Sequence, residues 1–352
     1  FGSSPTTFLP SLIRWPAPQD AFLCAPSCRQ TDRCASDEPV EWSVAGTLQI
    51  RKVIWRHCAC PVHLRCRVAN IIMGFIRSPS AVMAVGWGED QGRRPEMEDG
   101  FVFVDKFGGN PSSAYFAVYD GHGGRQVVDF VTQELHRNVA SQLRRTRSVP
   151  DALVAAFQET DVDMCRKNIM TSGCTACVCV LREERHARVI YTAHLGDSRA
   201  IMSRGGTAVR LTSMTDHKAT DPLEAKRVIE AGGHILNDRV NGMLAMTRAL
   251  GDHILKMPVL PNHVVSNVPD ITSTDLSSQD TFLIVACDGL WDVVSDQQAV
   301  EFVIECLQEL QPAAWQLDSE GRSQAEVLAL MLIEEALARG SCDNVSCIVI
   351  FL

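Results

Sequence analysis

Val118-Tyr119-Asp120-Gly121-His122-Gly123-Gly124 delivers an acid, a bare backbone turn and a histidine directly after an apolar run. The run Ala114 to Tyr119 reads as a buried strand, which places Asp120 where a strand ends and a loop opens. Loops held by rigid elements carry a disproportionate share of chemistry. Taken alone, the stretch has a plain alternative, because Asp-Gly is a common hairpin turn and His-Gly-Gly punctuates loops.

Further acidic clusters repeat the arrangement along the chain. Leu283 to Cys287 runs into Asp288-Gly289-Leu290-Trp291-Asp292, and Val189 to Leu195 runs into Gly196-Asp197-Ser198-Arg199. Asp343-Asn344 lies just ahead of the run Val345 to Leu352, and Arg93-Arg94-Pro95-Glu96-Met97-Glu98-Asp99 precedes Phe101 to Val104. Carboxylates at strand ends are poorly explained by packing, since Asp is depleted in strands and costly to bury unpaired. Several converging acids repel one another. A hard divalent cation removes that conflict: Mg²⁺ or Mn²⁺ takes carboxylate, carbonyl and water oxygens, and two ions can share a bridging Asp and activate a water.

Ordered motifs then give the chain a resemblance to a known family. Arg94 with Met97-Glu98-Asp99, Tyr119 to Gly124, Ser172 to Ala176, Gly196 to Arg199, Asp216-His217-Lys218, Glu230 to Gly233, Arg239 to Gly242, Thr247 to Asp252, Asp288 to Asp292 and Asp343 to Ser346 follow one another from about residue 82 to 352. In this order they resemble the metal-dependent protein Ser/Thr phosphatases, the type 2C or PPM family.

The resemblance implies an α+β fold, a four-layer αββα sandwich of two packed, mainly antiparallel sheets flanked by helices, with metals at one end. It implies that Asp120 bridges two ions, that Gly121 offers its carbonyl, and that Asp288 and Asp343 bind one ion while Glu98 and Asp99 bind the other, directly or through water. Asp197 and Asp292 complete a weaker third metal site beside Asp288. Arg94 grips the phosphate through its planar fork, and His122 is the general acid for the departing Ser or Thr oxygen. Implied, too, are phosphorylated protein substrates, a monomer and signalling in the cytoplasm, with the nucleus or a membrane surface as alternatives.

The chemistry of phosphate monoester hydrolysis agrees with this set. It needs charge neutralised on the phosphoryl oxygens, an aligned nucleophile and a proton for the leaving group. No covalent intermediate is required, so no nucleophilic Cys or Ser is needed. Cys179 and Arg185 have the spacing of a cysteine-phosphatase loop, but Glu183-Glu184 stand where small residues would expose backbone N–H groups, and His57-Cys58 is followed by Arg65 at the wrong spacing.

Composition sets the outer bounds. No run of about 18 uncharged apolar residues occurs, so no membrane-spanning helix is expected. A net charge of −9 without a basic stripe argues against nucleic acid. The chain has 14 cysteines, but Cys177 and Cys179 alternate with Val178 and Val180, and Cys287 and Cys347 lie in apolar runs, as reduced core residues would. Strand alternation predicts that the Cys287 thiol faces away from the metals. Cys287 and Cys342 nonetheless raise the question of oxidation sensitivity.

Two domains are expected: an irregular Cys-, Pro- and Arg-rich extension over 1–80 and a catalytic domain over 81–352. The extension's His57, Cys58, Cys60, His63 and Cys66 lack the paired spacing of a zinc finger. Met73-Gly74-Phe75-Ile76-Arg77-Ser78 fits an N-myristoylation signal on Gly74, a single acyl chain giving weak, reversible membrane association. Gln311 to Arg322 lengthens the usual connection between the last two helices, a candidate partner surface. A catalytically dead scaffold and a small-molecule phosphoesterase are the competing classes. The first would lack one of Asp120, Asp288 and Asp343, all of which are present.

Overall fold

A computed structural model describes residues 72–76, 81–185, 187–310 and 323–352. In chain order the strands are β1 (Ile72–Ile76), β2 (Ala84–Asp90), β3 (Gly100–Asp105), β4 (Ala114–Tyr119), β5 (Gly121–His122), β6 (Gly173–Cys174), β7 (Ala176–Glu184), β8 (Ala187–Leu195), β9 (Arg199–Arg204), β10 (Thr207–Arg210), β11 (Ile235–Leu236), β12 (Arg239–Val240), β13 (Leu250–Gly251), β14 (Asp270–Asp275), β15 (Asp280–Ala286) and β16 (Val345–Phe351). The α-helices are α1 (Gln126–Arg145), α2 (Val149–Arg166), α3 (Pro222–Glu230), α4 (Asp288–Trp291), α5 (Asp296–Glu309) and α6 (Gln324–Ala338).

Period-2 alternation explains the layering. One sheet runs β1-β2-β16-β15-β9-β10 and the other β14-β8-β7-β4-β3, every neighbouring pair antiparallel. Leu283, Val285, Ile348 and Ile350 of the first sheet and Phe116, Val118, Cys177 and Cys179 of the second form one buried cluster between the sheets. The alternate residues point outward. Phe282, Ile284 and Val349 pack under α5 and α6, whereas Tyr115, Ala117, Val178 and Val180 pack under α1 and α2. Burying both faces of each sheet selects apolar residues at almost every strand position, so β4 and β16 read as continuous runs. The fold is the α+β sandwich that the motifs imply.

Helix starts follow local chemistry. Ser295 caps α5 in a capping box, its hydroxyl accepting from Gln298 N at 3.4 Å while Gln298 Oε1 accepts from Ser295 N at 3.1 Å. Asp221 caps α3 by accepting from Leu223 N and Glu224 N, with Pro222 at the first helical position.

The expected irregular extension runs to residue 80, yet Ile72–Ile76 is an edge strand paired with β2, Gly74 opposite Trp87. β2 itself continues to Asp90 because Gly86, Trp87 and Gly88 pair on both sides, with β1 and β16. Residues 1–71 and the segment Gln311 to Arg322 lie outside the described residues. Among the described residues no helix is long and apolar enough to cross a membrane.

A buried ion pair ties α2 to the segment after β13. Lys256, fully buried, donates through Nζ to both Asp161 carboxylate oxygens at 3.0 Å and to Ala249 O at 2.8 Å. Asp161 also accepts from Gly251 N at 2.8 Å and Asn267 Nδ2 at 2.9 Å. Removing one partner of such a pair strands the other charge, so Lys256→Ala is expected to cost about 3–5 kcal/mol of stability. Urea titration checks this; a loss below about 1 kcal/mol would show that the pair does not hold the segment.

Candidate metal centre and phosphate site

Register alone gathers the acids. Asp120 follows β4, Asp99 precedes its neighbour β3, Asp288 opens α4 just after β15, Asp343 lies two residues before the adjacent β16, and Asp197 sits between β8 and β9. Antiparallel pairing brings the end of one strand to the start of the next, so acids from both sheets meet at one end. Carboxylate oxygens of Asp120, Asp197 and Asp288 lie within 4.8 Å of one another.

The cluster is electrostatically uncomfortable on its own. Burial, then Asp99, Asp288 and Asp197, push the Asp120 carboxyl well above its ordinary range. Burial, followed by Asp197, Asp292 and Asp343, pushes Asp288 up to about 7 against an opposing hydrogen bond with Asp120. Asp99 also rises to about 7, through burial first and then Asp343 and Glu89, against the help of Cys287 and Ser346. Asp99 Oδ2 and both carboxylate oxygens of Asp197 are buried without a hydrogen-bond partner. Buried, mutually repelling carboxylate oxygens fit a hard divalent cation.

Beside the cluster, Arg94 is half exposed and donates to Asp343 Oδ2 at 2.5 Å. Asp343 Oδ1 accepts from Asn344 N at 2.8 Å. Asn344 pins the loop carrying Arg94 and Glu98: its amide donates to Gln91 O and Glu96 O at 2.8 and 3.0 Å, and its Oδ1 accepts from Glu98 N at 2.8 Å. Glu98 Oε1 accepts from Gly124 N at 2.5 Å. Gly121 must be glycine for a steric reason, since a Cβ there would lie 2.3 Å from Glu98 O.

His122 Nε2 lies 2.8 Å from Asp252 Oδ2. Burial pulls the imidazole pKa down, but the Asp252 hydrogen bond and charge, with Glu98 and Asp197, carry it above the ordinary value. Acid, arginine and histidine therefore share one end of the sandwich.

The match to known proteins is made over this frame. Residues 83–345 match the family model described as protein phosphatase 2C. The chain belongs to the protein phosphatase 2C family. Over 274 residues the phosphatase is 39% identical to protein phosphatase 2C homolog 1 of Saccharomyces cerevisiae, an alignment covering 74% of this chain and 89% of the relative. It is 41% identical over 273 residues to protein phosphatase 2C homolog 1 of Schizosaccharomyces pombe, covering 75% of this chain and 71% of the relative. The crystal structure of serine-threonine phosphatase 2C from Toxoplasma gondii superposes with a TM-score of 0.60 at 26% identity, covering 80% of this chain and 99% of that one. The chain is thus a protein Ser/Thr phosphatase by family.

Other residues of the phosphatase depart from simple expectation. Asp292 is exposed on its side chain and stands outside the tight cluster of Asp120, Asp197 and Asp288. Between Asp292 and the cluster reaches Lys218, whose Nζ is 3.0 Å from Asp197 Oδ2, without hydrogen-bonding alignment, and 4.0 Å from Asp292 Oδ1. Burial raises the Asp197 carboxyl and Lys218 opposes it. Lys218, Asp252 and Asn344 lay inside recognised motifs without an assigned role, because their partners are far away in sequence.

The thiols of the phosphatase divide the same way. Cys165, Cys174, Cys177, Cys179, Cys287, Cys342 and Cys347 are free thiols. Cys179 is buried between the sheets near Thr192, not in a phosphate-binding loop. Cys287 lies in the inter-sheet core, its Sγ accepting from Ser346 N at 3.1 Å and donating to Asn344 O at 3.5 Å. Burial drives the Cys287 thiol well above its ordinary pKa. Cys342 is exposed.

The segment from Asp216 to Asn241 is held at one end by charge. Arg199 and Arg210 bind Asp216, and Arg248 binds both Glu224 and Asp270. Burial works against ionising Glu224, but its bonds from Arg248, Thr247 and Arg227 bring it down to about 2. Its outer surface exposes Leu223, Ile229 and Leu236.

Proposed function

We propose that this phosphatase hydrolyses phosphoserine and phosphothreonine in proteins by direct attack of water, without a covalent enzyme intermediate. The observation that carries the reading is the cluster of Asp120, Asp197 and Asp288, whose carboxylate oxygens crowd within 4.8 Å of one another and whose raised pKa values call for cations. Asp120 would bridge two Mg²⁺ or Mn²⁺ ions, with Asp288 and Asp343 on one, Glu98, Asp99 and the Gly121 carbonyl on the other, and Asp197 with Asp292 beside a weaker third. Such ions, when bound, neutralise phosphoryl charge and lower the pKa of water.

The remaining work falls to this chain's own side chains. Arg94, exposed at the rim and held by Asp343, presents its fork to two phosphate oxygens. Glu98, fixed through Gly124 N, and the Asn344-pinned loop keep Arg94 in register with the acids. His122 gives a proton to the departing Ser or Thr oxygen, and its raised pKa keeps that proton available near neutrality.

Incubating the Mn²⁺-loaded protein with a phosphothreonine peptide tests the function, and absence of phosphate release would reject it. His122→Ala is expected to slow phosphoserine peptides by about 10²–10⁴-fold and an aryl phosphate far less, because nitrophenolate leaves without a proton. Equal losses on the two substrates would show that His122 is not the acid.

A further inference from the structure

Asp252 belongs to no ligand set and has no assigned role, yet it is the hydrogen-bond partner of the proposed acid. We propose that Asp252 is the positioning residue for His122: its carboxylate holds Nε2–H and leaves Nδ1 as the nitrogen that exchanges a proton with the leaving group. The inference rests on His122 being the general acid. In the step, the proton on Nδ1 passes to the Ser or Thr oxygen as the P–O bond breaks. The ring emerges neutral, still bonded through Nε2–H to Asp252, which orients it as the aspartate of a catalytic triad does.

The local fold is built around this pair. β5, β6 and β13 form a small antiparallel sheet in which Gly173 pairs with His122 on one side and Gly251 on the other. A Cβ on Gly173 would lie 2.0 Å from Asp252 Oδ2 and 2.5 Å from His122 Nε2. Glycine is required there by the closeness of the two side chains.

Asp252 is itself fixed. Its backbone is in the left-handed region at φ 50°, its N–H donates to Ser172 O at 2.9 Å, and its carbonyl accepts from Leu255 N at 2.8 Å. The preceding Gly251 N donates to Asp161, the carboxylate locked by Lys256 and Asn267. A chain of buried contacts thus runs from α2 to the acid. Its carboxylate is nearly buried, with 7% of the side chain exposed against 29% for His122, so the pair is sheltered on the Asp252 side and open on the other.

Leaving-group dependence separates positioning from mere structure. Asp252→Asn, nearly isosteric and tolerant of left-handed backbone, is expected to slow a phosphothreonine peptide by about 10–100-fold with KM little changed, and an aryl phosphate much less. Gly173→Ala, whose methyl collides with both side chains and drives the pair apart while replacing neither of them, should show the same selectivity. Asp252→Asn combined with His122→Ala should be no slower on the peptide than His122→Ala alone. Equal losses on both substrates, or additive losses in the double variant, would overturn the inference. A selective His122→Ala beside an unselective Asp252→Asn removes this inference alone, whereas an unselective His122→Ala removes the general-acid reading with it.

Discussion

Asp288→Asn is expected to lower phosphopeptide turnover by at least about a hundredfold, the scale on which removing one electrostatic contact to a transition state acts. Without metal the same change should leave the fold no less stable. Asp288 has its carboxyl at about 7 in the folded protein against an ordinary 3.8, and Asp120 and Asp197 crowd the same space. A carboxyl raised by folding favours the folded state in acid, and that contribution is lost as pH rises from about 4 through about 7. Above neutrality an ionised Asp288 therefore opposes folding of the metal-free chain, and Asn does not. Melting curves at pH 5 and pH 8 in chelator read this: the variant should gain on the parent as pH rises. A variant that keeps full turnover would refute the ligand role, and one that unfolds at both pH values would make Asp288 structural.

Excess chelator should abolish turnover altogether, with Mn²⁺ or Mg²⁺ restoring it. The donors are oxygens, so hard cations should serve and thiol-specific reagents should not mimic the chelator. Binding should also register in stability, by about 2.7 kcal/mol when free metal reaches a hundred times its dissociation constant. Undiminished hydrolysis of a phosphothreonine peptide in excess chelator would sink the cation requirement.

What could be read from the chain beforehand follows physical range. β4, β15 and β16 announced themselves because both faces are buried, and the acids at their ends stood out against those apolar runs. β14, with the sequence Asp-Ile-Thr-Ser-Thr-Asp, is an edge strand with little apolar content and gave no such signal. β1 was hidden because five residues of strand at a sheet edge carry too little pattern to register alone. His122 and Asp252 are 130 residues apart, and Asn344 reaches 253 residues back to Gln91. Pairings at such separations leave no local period, so Asp120 was legible as a candidate ligand while Asp252, in the motif Thr247 to Asp252, was only a letter in a pattern.

The position of β16 has a consequence for how this activity comes into being during synthesis. Although it is the last strand of the described residues, it is an inner plank of its sheet, seated between β2 and β15, and Asp343 lies two residues before it. A ribosome-bound chain that has not yet released this segment has a gap between β2 and β15 and lacks one proposed ligand, and a premature stop before Asp343 leaves the same defect permanently. Long-range closure of this kind is slow compared with local helix formation. A chain cut short before Asp343 is therefore expected to release no phosphate from a phosphothreonine peptide, which a truncated variant would check.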